Sequence, residues 1–316
     1  MHDLLGAGPV TVRAVIGPGL MGHGIALVLA KRPGDVWLYG ISDETLKTGV
    51  ERIKQSLEQL RRYGLVAGAD EILARIRPTT DLAQAVAKAR LVVEAVPEDL
   101  ALKQALFAEL ERLAPEDAIL ATNSSGLPIA ESAAKINSGW RVVGSHFFLP
   151  AQIIPLVEVS RGPETSDAVM QWTCDHWRAC GKEPVRIEKD LPGYIANRMQ
   201  GALVREATHL LAEGAASAED IDKAVRMGFG LRYLVSGPLE QRDLGGLDLH
   251  AALAGELWPH LDRSTGPFPF VKEMVARGEL GLKTGKGFYD WSGADENEVR
   301  DEKYEALLKL MAQLGL

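Results

Sequence analysis

Glycine spacing near the start of the chain constrains the fold more than any other feature. The stretch from Val12 to Ile25 reads VRAVIGPGLMGHGI, an apolar run that breaks at glycines and then resumes with a helix-like apolar pattern. Gly17, Gly19 and Gly22 form the pattern G-x-G-x-x-G. Glycine at these positions allows, in order, a sharp turn, close approach of a pyrophosphate, and tight packing of helix on strand. The stretch predicts a strand, a turn and a helix start that holds a dinucleotide diphosphate, although the pattern alone also fits an ordinary strand-to-helix turn.

The second predicted strand bears on which dinucleotide binds. It runs from Asp35 to Tyr39, and an acid at its end normally binds the adenosine ribose hydroxyls. Gly40 stands there instead, and the next acids, Asp43 and Glu44, could take that role or could cap the following helix. No arginine follows immediately to bind a 2′-phosphate. The sequence therefore favours NAD, with NADP left open because Gly40 replaces the usual acid.

Composition narrows the classes of partner. The 316 residues carry a formal net charge of −8 without a dense Lys/Arg run, which argues against a nucleic acid or an anionic membrane. The only cysteines, Cys174 and Cys180, lie on one predicted helix, so neither a disulfide framework nor a metal cluster is expected. The N-terminal stretch lacks a basic segment followed by a long apolar core, and no run reaches about 18 uninterrupted apolar residues. We expect a soluble, cytoplasmic protein without a metal site.

Strands and helices alternate through the first half of the chain. Apolar runs at Leu91 to Val96 and Ile119 to Thr122 continue the alternation, which is typical of an α/β doubly wound, mostly parallel sheet. From Ser166 onward, long amphipathic helices dominate. This change predicts a dinucleotide-binding domain over residues 1–190 and a helical domain over residues 191–316.

Two ionisable residues interrupt apolar runs in the middle of the chain. His146 lies within the segment VVGSHFF, and Glu158 lies within PLVEVS. Ionisable groups in such runs need partners, and the simplest partner for each is the other. The pair is either a histidine base oriented by a carboxylate, suited to taking a proton from an alcohol near neutral pH, or a purely structural contact.

Four further polar residues have both a structural and a functional interpretation. Ser124 and Ser125 follow a predicted strand, where they could cap a helix beginning near Pro128 or bond a substrate oxygen. Asn197 interrupts an apolar helical face and is either a packed core amide or a neighbour of His146. Lys103 follows the third buried strand and by itself reads as a solvated side chain.

Seven segments taken together resemble the 3-hydroxyacyl-CoA dehydrogenase superfamily from end to end. They are VIGPGLMGHGIA, LVVEAVPEDLALKQALFAEL, ATNSSGLPI, VVGSHFFLPAQIIPLVEV, DLPGYIANRM, GPLEQRDLGGLDL and GLKTGKGFYDW. The resemblance implies a Rossmann domain, an all-helical C-terminal domain that forms a homodimer, and hydride transfer between a secondary alcohol and NAD.

Matching positions carry the expected roles. By resemblance, His146 is the catalytic base, Glu158 orients it, and Ser125 and Asn197 donate to the reacting oxygen, where charge develops. The residues expected at the cofactor are Gly17, Gly19, Leu20, Met21, Gly22, Asp43, Glu98, Lys103 and Lys283.

Departures from the acyl-CoA enzymes bear on the substrate. Leu149 replaces an asparagine before Pro150. Ser56 matches a CoA-contacting serine, but Tyr63 stands where a lysine is expected. The neighbouring Arg61 and Arg62 could replace that lysine or could form a solvated face.

A longer segment, MGFGLRYLVSGPLEQ, points towards free acids as substrates. It is similar to the branch that contains gulonate dehydrogenase (lambda-crystallin) and carnitine dehydrogenase, which act on free hydroxy acids. Arg232 would offer a two-pronged donor to a carboxylate, or would stabilise the helix end near Gly228 to Gly230. SSGLPI and QIIPLVEV also resemble a branch that oxidises a carboxylated pyridine alcohol or aldehyde.

These observations order three functional hypotheses. The first is an NAD-dependent dehydrogenase of a small 3-hydroxy acid. The alternative is a short-chain 3-hydroxyacyl-CoA dehydrogenase, and a further alternative is a non-catalytic, crystallin-like dinucleotide-binding protein.

Overall fold

A computed structural model describes residues 11–315 of the chain. The first ten residues, on which part of the expectation about targeting segments rests, lie outside that range. The described chain divides into two units, one of residues 11–195 together with 305–315 and one of residues 196–304. The predicted boundary, between residues 190 and 191, lies slightly before the observed one. The prediction also assigned the last residues of the chain to the helical domain, whereas in the structure they belong to the first unit.

A single sheet organises the first unit. Within residues 11–315, its eight strands lie in the order β3-β2-β1-β4-β5-β6-β7-β8, and all neighbours are parallel except β6 and β7. Strands β2 and β3 lie on one side of β1, and β4 and the later strands lie on the other. A sheet whose strand order changes direction in this way has its ligand crevice beyond the carboxyl ends of the two strands at that point, here β1 and β4. The strands are β1 (Val12–Ile16), β2 (Asp35–Tyr39), β3 (Ile76–Thr79), β4 (Leu91–Glu94), β5 (Ile119–Thr122), β6 (Val142–Phe147), β7 (Leu156–Arg161) and β8 (Glu183–Ile187).

Helices pack on both faces of this sheet. Val15 belongs to one buried apolar cluster, while its neighbours Ala14 and Ile16 belong to another, because successive strand residues face opposite sides. The helices within the first unit are α1 (Gly22–Ala30), α2 (Asp43–Arg62), α3 (Ala69–Ala74), α4 (Leu82–Val86), α5 (Leu100–Leu113), α6 (Ile129–Ser132) and α7 (Asp167–Ala179).

Two helix starts differ from the expected capping. The side chain of Ser42 caps α2 by accepting a hydrogen bond from the Thr45 N–H, so Asp43 is the first helical residue rather than the cap. Pro128 precedes α6 and no side chain caps that helix, so neither Ser124 nor Ser125 has the predicted capping role.

The second unit is helical. Residues 226–230 form a short π-helical turn between α9 and α10, and none of residues 196–304 is fully buried. The last helix begins in this unit and ends in the first. The helices are α8 (Ala196–Ala212), α9 (Ala218–Val225), α10 (Leu231–Tyr233), α11 (Pro238–Gly245), α12 (Leu247–Leu257), α13 (Pro269–Ala276) and α14 (Glu296–Leu314). Throughout residues 11–315, we find no helix with the length and apolar character needed to cross a membrane.

Candidate functional site

The glycine turn after β1 is shaped for close contact with a ligand. Gly17 has a φ of +105°, and a Cβ there would lie 2.6 Å from the Ala95 carbonyl oxygen. A Cβ on Gly22 would lie 1.7 Å from the carbonyl oxygen of Gly17, whereas one on Gly19 would meet open space. The start of α1 has no side-chain cap and no acidic residue in its first turn. Its N–H groups are therefore available to an anion, and the residues fit the diphosphate of a dinucleotide.

A cavity of about 370 Å³ continues from this turn across the end of β2. A Cβ on Gly40 would lie 2.8 Å from Leu46 Cγ and 2.9 Å from Thr45 Oγ1, so a side chain at position 40 would require Leu46 and Thr45 to shift. Glu44 lines the cavity, whereas Asp43, Leu20 and Met21 are absent from its wall. The lining residues are Gly17, Pro18, Gly19, Tyr39, Gly40, Ile41, Glu44, Thr45, Thr48, Arg52, Ala95, Val96 and Pro97.

The antiparallel pairing of β6 and β7 places His146 directly opposite Glu158. His146 Nδ1 lies 2.8 Å from Glu158 Oε2, and the residues are only 5% and 1% exposed. The second carboxylate oxygen, Oε1, accepts a hydrogen bond from the backbone N–H of Ile195 at 2.9 Å. Because Nδ1 is engaged, Nε2 is the nitrogen left to exchange a proton with a ligand.

Two aromatic rings flank the imidazole. The Phe148 ring meets it edge-on at 4.8 Å between centroids, and the Tyr194 ring lies 5.4 Å away at a tilt of 43°. Tyr194 is 2% exposed and has a φ of +49°, a conformation that costs a residue other than glycine about 1–3 kcal/mol. Burial raises the pKa of Tyr194 to about 12. The sequence motif PGYIANRM contained this residue, but its place beside the imidazole depends on the tertiary fold.

A carboxylate organises the loop after β5. Glu98 Oε1 accepts from the hydroxyl of Ser124 at 2.5 Å and from the backbone N–H groups of Ser125, Gly126 and Leu127 at 3.2, 2.9 and 3.2 Å. Burial would raise the pKa of Glu98, but these hydrogen bonds and the nearby charge of Lys103 hold that pKa below its usual value. Ser124 is buried, whereas Ser125 is exposed and its hydroxyl is available to a ligand.

A buried ion pair lies beneath that loop. Lys103 Nζ is 2.7 Å from Glu94 Oε1 and 3.3 Å from Glu98 Oε2, and Thr122 donates to Glu94 Oε2 at 2.7 Å. Lys103 is 1% exposed, so its interpretation as a solvated side chain is wrong. Glu94 was not among the predicted site residues. The signal was a lone carboxylate inside the apolar strand LVVEAV, which requires a buried partner.

The remaining predicted site residues belong to the helical unit. Asn197 is half-buried in the first turn of α8, and Lys283 is exposed in a short 3₁₀ turn. Arg232 in α10 lines a cavity of about 460 Å³ within that unit, together with Arg242, Ser236 and Gln241. The roles expected of Asn197, Arg232 and Lys283 towards the substrate and the cofactor stay predictions.

Three features define a dinucleotide-binding protein of the Rossmann class: the change of direction of the strand order at β1, the uncapped N-terminus of α1, and the glycine turn between them. Comparison with known families is more specific. The family model "3-hydroxyacyl-CoA dehydrogenase, NAD binding domain" matches residues 12–191, and the model of the C-terminal domain of the same family matches residues 193–291. The chain belongs to the 3-hydroxyacyl-CoA dehydrogenase family and is an NAD-dependent oxidoreductase. The predictions of the family, the fold class and NAD as cofactor are thereby confirmed.

Individual relatives differ in their substrates. The chain is 39% identical over 290 residues to the 3-hydroxyadipyl-CoA dehydrogenase of Escherichia coli, covering 90% of this chain but only 60% of that longer protein. It is 31% identical over 295 residues to the 5-formyl-3-hydroxy-2-methylpyridine 4-carboxylate 5-dehydrogenase of Mesorhizobium japonicum, covering 93% and 95% of the two chains. A crystal structure of a dehydrogenase of that pyridine acid, described as an NAD⁺-dependent dismutase, superimposes with a TM-score of 0.89 at 30% identity, over 97% of this chain and 99% of that one.

Proposed function

We propose that this protein transfers hydride between the secondary alcohol of a small 3-hydroxy acid and NAD, with His146 as the base and Glu158 as its orienting partner. The observation that carries the proposal is the 2.8 Å contact between His146 Nδ1 and Glu158 Oε2, deep in the first unit. A histidine base of this kind removes the hydroxyl proton while the hydride leaves the same carbon.

The geometry assigns each nitrogen of the imidazole a task. Nδ1–H donates to the carboxylate of Glu158, which selects the tautomer with a free lone pair on Nε2. When Nε2 takes the alcohol proton, the positive charge forms beside a buried carboxylate that offsets it. Bound NAD supplies the hydride acceptor. The exposed hydroxyl of Ser125 and the amide of Asn197 are the proposed donors to the substrate oxygen.

Contacts around α2 support a free acid rather than a CoA thioester. Ser56 is 6% exposed and accepts a hydrogen bond from Gln152 Nε2 at 3.0 Å, so its hydroxyl is engaged within the fold. Arg61 pairs with Glu58 at 2.8 Å, and Arg62 lies 3.6 Å from Glu305 of α14. Ser56 is thus committed within the fold, whereas the Arg61 and Arg62 side chains are 64% and 58% exposed and their surface ion pairs contribute little, so the Ser56 contact alone counts against a CoA site here.

The helical unit offers a cationic cavity for a carboxylate. Arg232 and Arg242 line the same cavity, and a guanidinium group binds a carboxylate through two parallel hydrogen bonds. The named substrate of the relative in Mesorhizobium japonicum carries a free carboxylate, which fits this interpretation. The acyl-CoA alternative draws its support from the 39% identity to the Escherichia coli enzyme.

A pair of assays distinguishes these substrates. Formation of NADH is followed by absorbance with 3-hydroxybutyrate and with 3-hydroxybutyryl-CoA as probes, for the wild type, His146→Gln and Arg232→Gln. We expect turnover of the free acid, loss of turnover in His146→Gln, and a KM for the acid raised at least about tenfold in Arg232→Gln. Efficient turnover of the thioester with none of the free acid would replace the proposed substrate by the alternative. Full activity of His146→Gln would refute the proposed base.

We also propose that the helical unit forms a homodimer. A unit in which no residue from 196 to 304 is fully buried lacks the core that a folded helical domain needs. Large apolar side chains are exposed there, with Val235, Leu239 and Leu244 at 88%, 82% and 78%. Such an exposed apolar surface is typical of an obligate interface between copies. Light scattering should give twice the chain mass of 34.2 kDa, and a monomer at micromolar concentration would contradict the proposal.

A further inference from the structure

A strained segment of backbone lies at the junction of the two units, directly against the histidine. Gly193 and Tyr194 are consecutive residues with left-handed backbone, at φ values of +77° and +49°. The division between the units falls immediately afterwards, between residues 195 and 196. Glycine adopts this conformation freely, but a tyrosine does so only where its surroundings impose it. The strain at Tyr194 therefore calls for a physical reason.

The peptide N–H between Tyr194 and Ile195 makes one of the two hydrogen bonds that hold the Glu158 carboxylate. Glu158 Oε2 meets His146 Nδ1 at 2.8 Å, and Oε1 accepts from the Ile195 N–H at 2.9 Å. A carboxylate held at both oxygens cannot turn about its axis without losing one of these bonds. The direction of the Ile195 N–H depends on the backbone angles of Tyr194, so the left-handed residue aims that donor at the carboxylate.

The side chain of Tyr194 acts on the same imidazole from another direction. Its ring lies 5.4 Å from the His146 ring and is almost completely buried. Its hydroxyl interacts with Ser160, which offsets part of the effect of burial on the Tyr194 pKa. The ring is the part of Tyr194 that faces the imidazole, so the ring rather than the hydroxyl constrains the histidine.

We propose that Tyr194 is a positioning residue for the base: its ring braces the imidazole of His146, and its left-handed backbone directs the Ile195 N–H onto Glu158. This inference rests on the proposed role of His146. It adds a residue that acts through His146 and Glu158, and it gives the strained backbone a function. Misplacement of a catalytic group by about 1 Å can cost about a hundredfold in rate, so bracing of this kind is sufficient to affect turnover.

Variants at position 194 distinguish the contributions of the Tyr194 ring, its hydroxyl and its backbone conformation. Tyr194→Phe keeps the ring, Tyr194→Leu removes it, and Tyr194→Gly removes it while favouring the left-handed backbone. Phe107→Leu is the matched control, because Phe107 is a fully buried aromatic residue in the apolar cluster that contains Ala14 and Ile16, to which Tyr194 does not belong. Each is measured for kcat and KM with NAD and 3-hydroxybutyrate, and for thermal stability.

We expect Tyr194→Phe to stay within about twofold of the wild type and Tyr194→Leu to lose about tenfold in kcat at an unchanged KM for NAD. Tyr194→Gly should fall between them. Phe107→Leu should lower the melting temperature without lowering kcat. If Tyr194→Leu behaves as Phe107→Leu does, Tyr194 is an ordinary core residue and the proposal fails. If Tyr194→Phe loses as much as Tyr194→Leu, the hydroxyl is the active feature and the proposal is also wrong.

A spectroscopic readout makes the test independent of turnover. The Nδ1–H of His146 should give a downfield proton resonance in the free enzyme, identified by its absence in His146→Gln. It should persist in Tyr194→Phe and broaden by exchange in Tyr194→Leu, whereas an unchanged signal in the latter would overturn the proposal. Full activity of His146→Gln would instead refute the proposed base, so the two failures are distinguishable.

Discussion

Replacing Glu158 by glutamine tests the charge of the carboxylate at nearly constant shape. The native side chain is 1% exposed and accepts hydrogen bonds from His146 and from the Ile195 N–H through different oxygens. Glutamine has a single amide oxygen, so one of these two buried donors must face an NH₂ group. The variant therefore loses the counter-charge of the imidazolium and one hydrogen bond at once.

The size of the effect follows from these two losses. A hydrogen bond to a charged group contributes about 1.5–3 kcal/mol, and that contribution is largest when the imidazole is protonated during the reaction. At about 1.36 kcal/mol per factor of ten, kcat should fall by roughly 10- to 150-fold. The unpaired donor should also lower the free energy of unfolding by about 1–3 kcal/mol. Glu158 does not line the cofactor cavity, so the KM for NAD should not change.

Steady-state formation of NADH and urea unfolding measure both consequences. Glu183→Gln is the matched control, because Glu183 is exposed at the start of β8. A Glu158→Gln enzyme with kcat within about threefold of the wild type would show that the carboxylate does not assist the base.

Other expected outcomes concern the buried pair, the glycine turn and acid stability. Lys103→Met leaves the fully buried Glu94 carboxylate without its cation, so the free energy of unfolding should fall by about 3–5 kcal/mol; calorimetry checks this, and a change below about 1 kcal/mol would contradict it. Gly17→Ala places a Cβ 2.6 Å from a carbonyl oxygen at a φ of +105°, and fluorescence titration should show NAD binding weakened at least about tenfold, while Gly201→Ala, which meets open space, should bind normally. Burial lowers the pKa of His176 from 6.5 to about 3, so the unfolded chain takes up a proton first. Stability should therefore fall as the pH drops from 6.5 towards 3, by up to about 1.4 kcal/mol per pH unit, and unfolding of His176→Phe across that range should lack this slope.

Local sequence was informative wherever an element depends on its own residues. The bounds of helix α5, Leu100–Leu113, follow from its own residues, because Asp99 caps its start and an apolar pattern with helical spacing runs to its end. Strands β2 and β5 have their predicted bounds, since short apolar runs have few other buried conformations. Helix α9 ends at Val225, where the chain enters a π-helical turn that an amphipathic pattern does not indicate.

The candidate site was only partly accessible from the sequence. The sequence suggested that His146 and Glu158 are partners. Their contact depends on β7 running antiparallel to β6, and two apolar runs in the sequence do not specify the relative direction of the strands they form. The contact of Glu98 with the loop after β5 spans 26 to 29 residues and left no periodic signal. The sequence indicated the glycine turn but not that Leu46 and Thr45 pack against Gly40.

Residues 12–25 alone determined a strand, a glycine turn and a helix over that stretch, because Gly17 and Gly22 stand where a Cβ would collide with the backbone. The tertiary structure decided what surrounds the base: which carboxylate faces it, which ring braces it and which backbone N–H secures the carboxylate. Tyr194 and Glu158 are 36 residues apart in the chain, and their common contact with His146 arises only when distant segments pack together. Local propensity acts over a few residues, whereas burial and hydrogen bonding select among the long-range pairings that the chain permits.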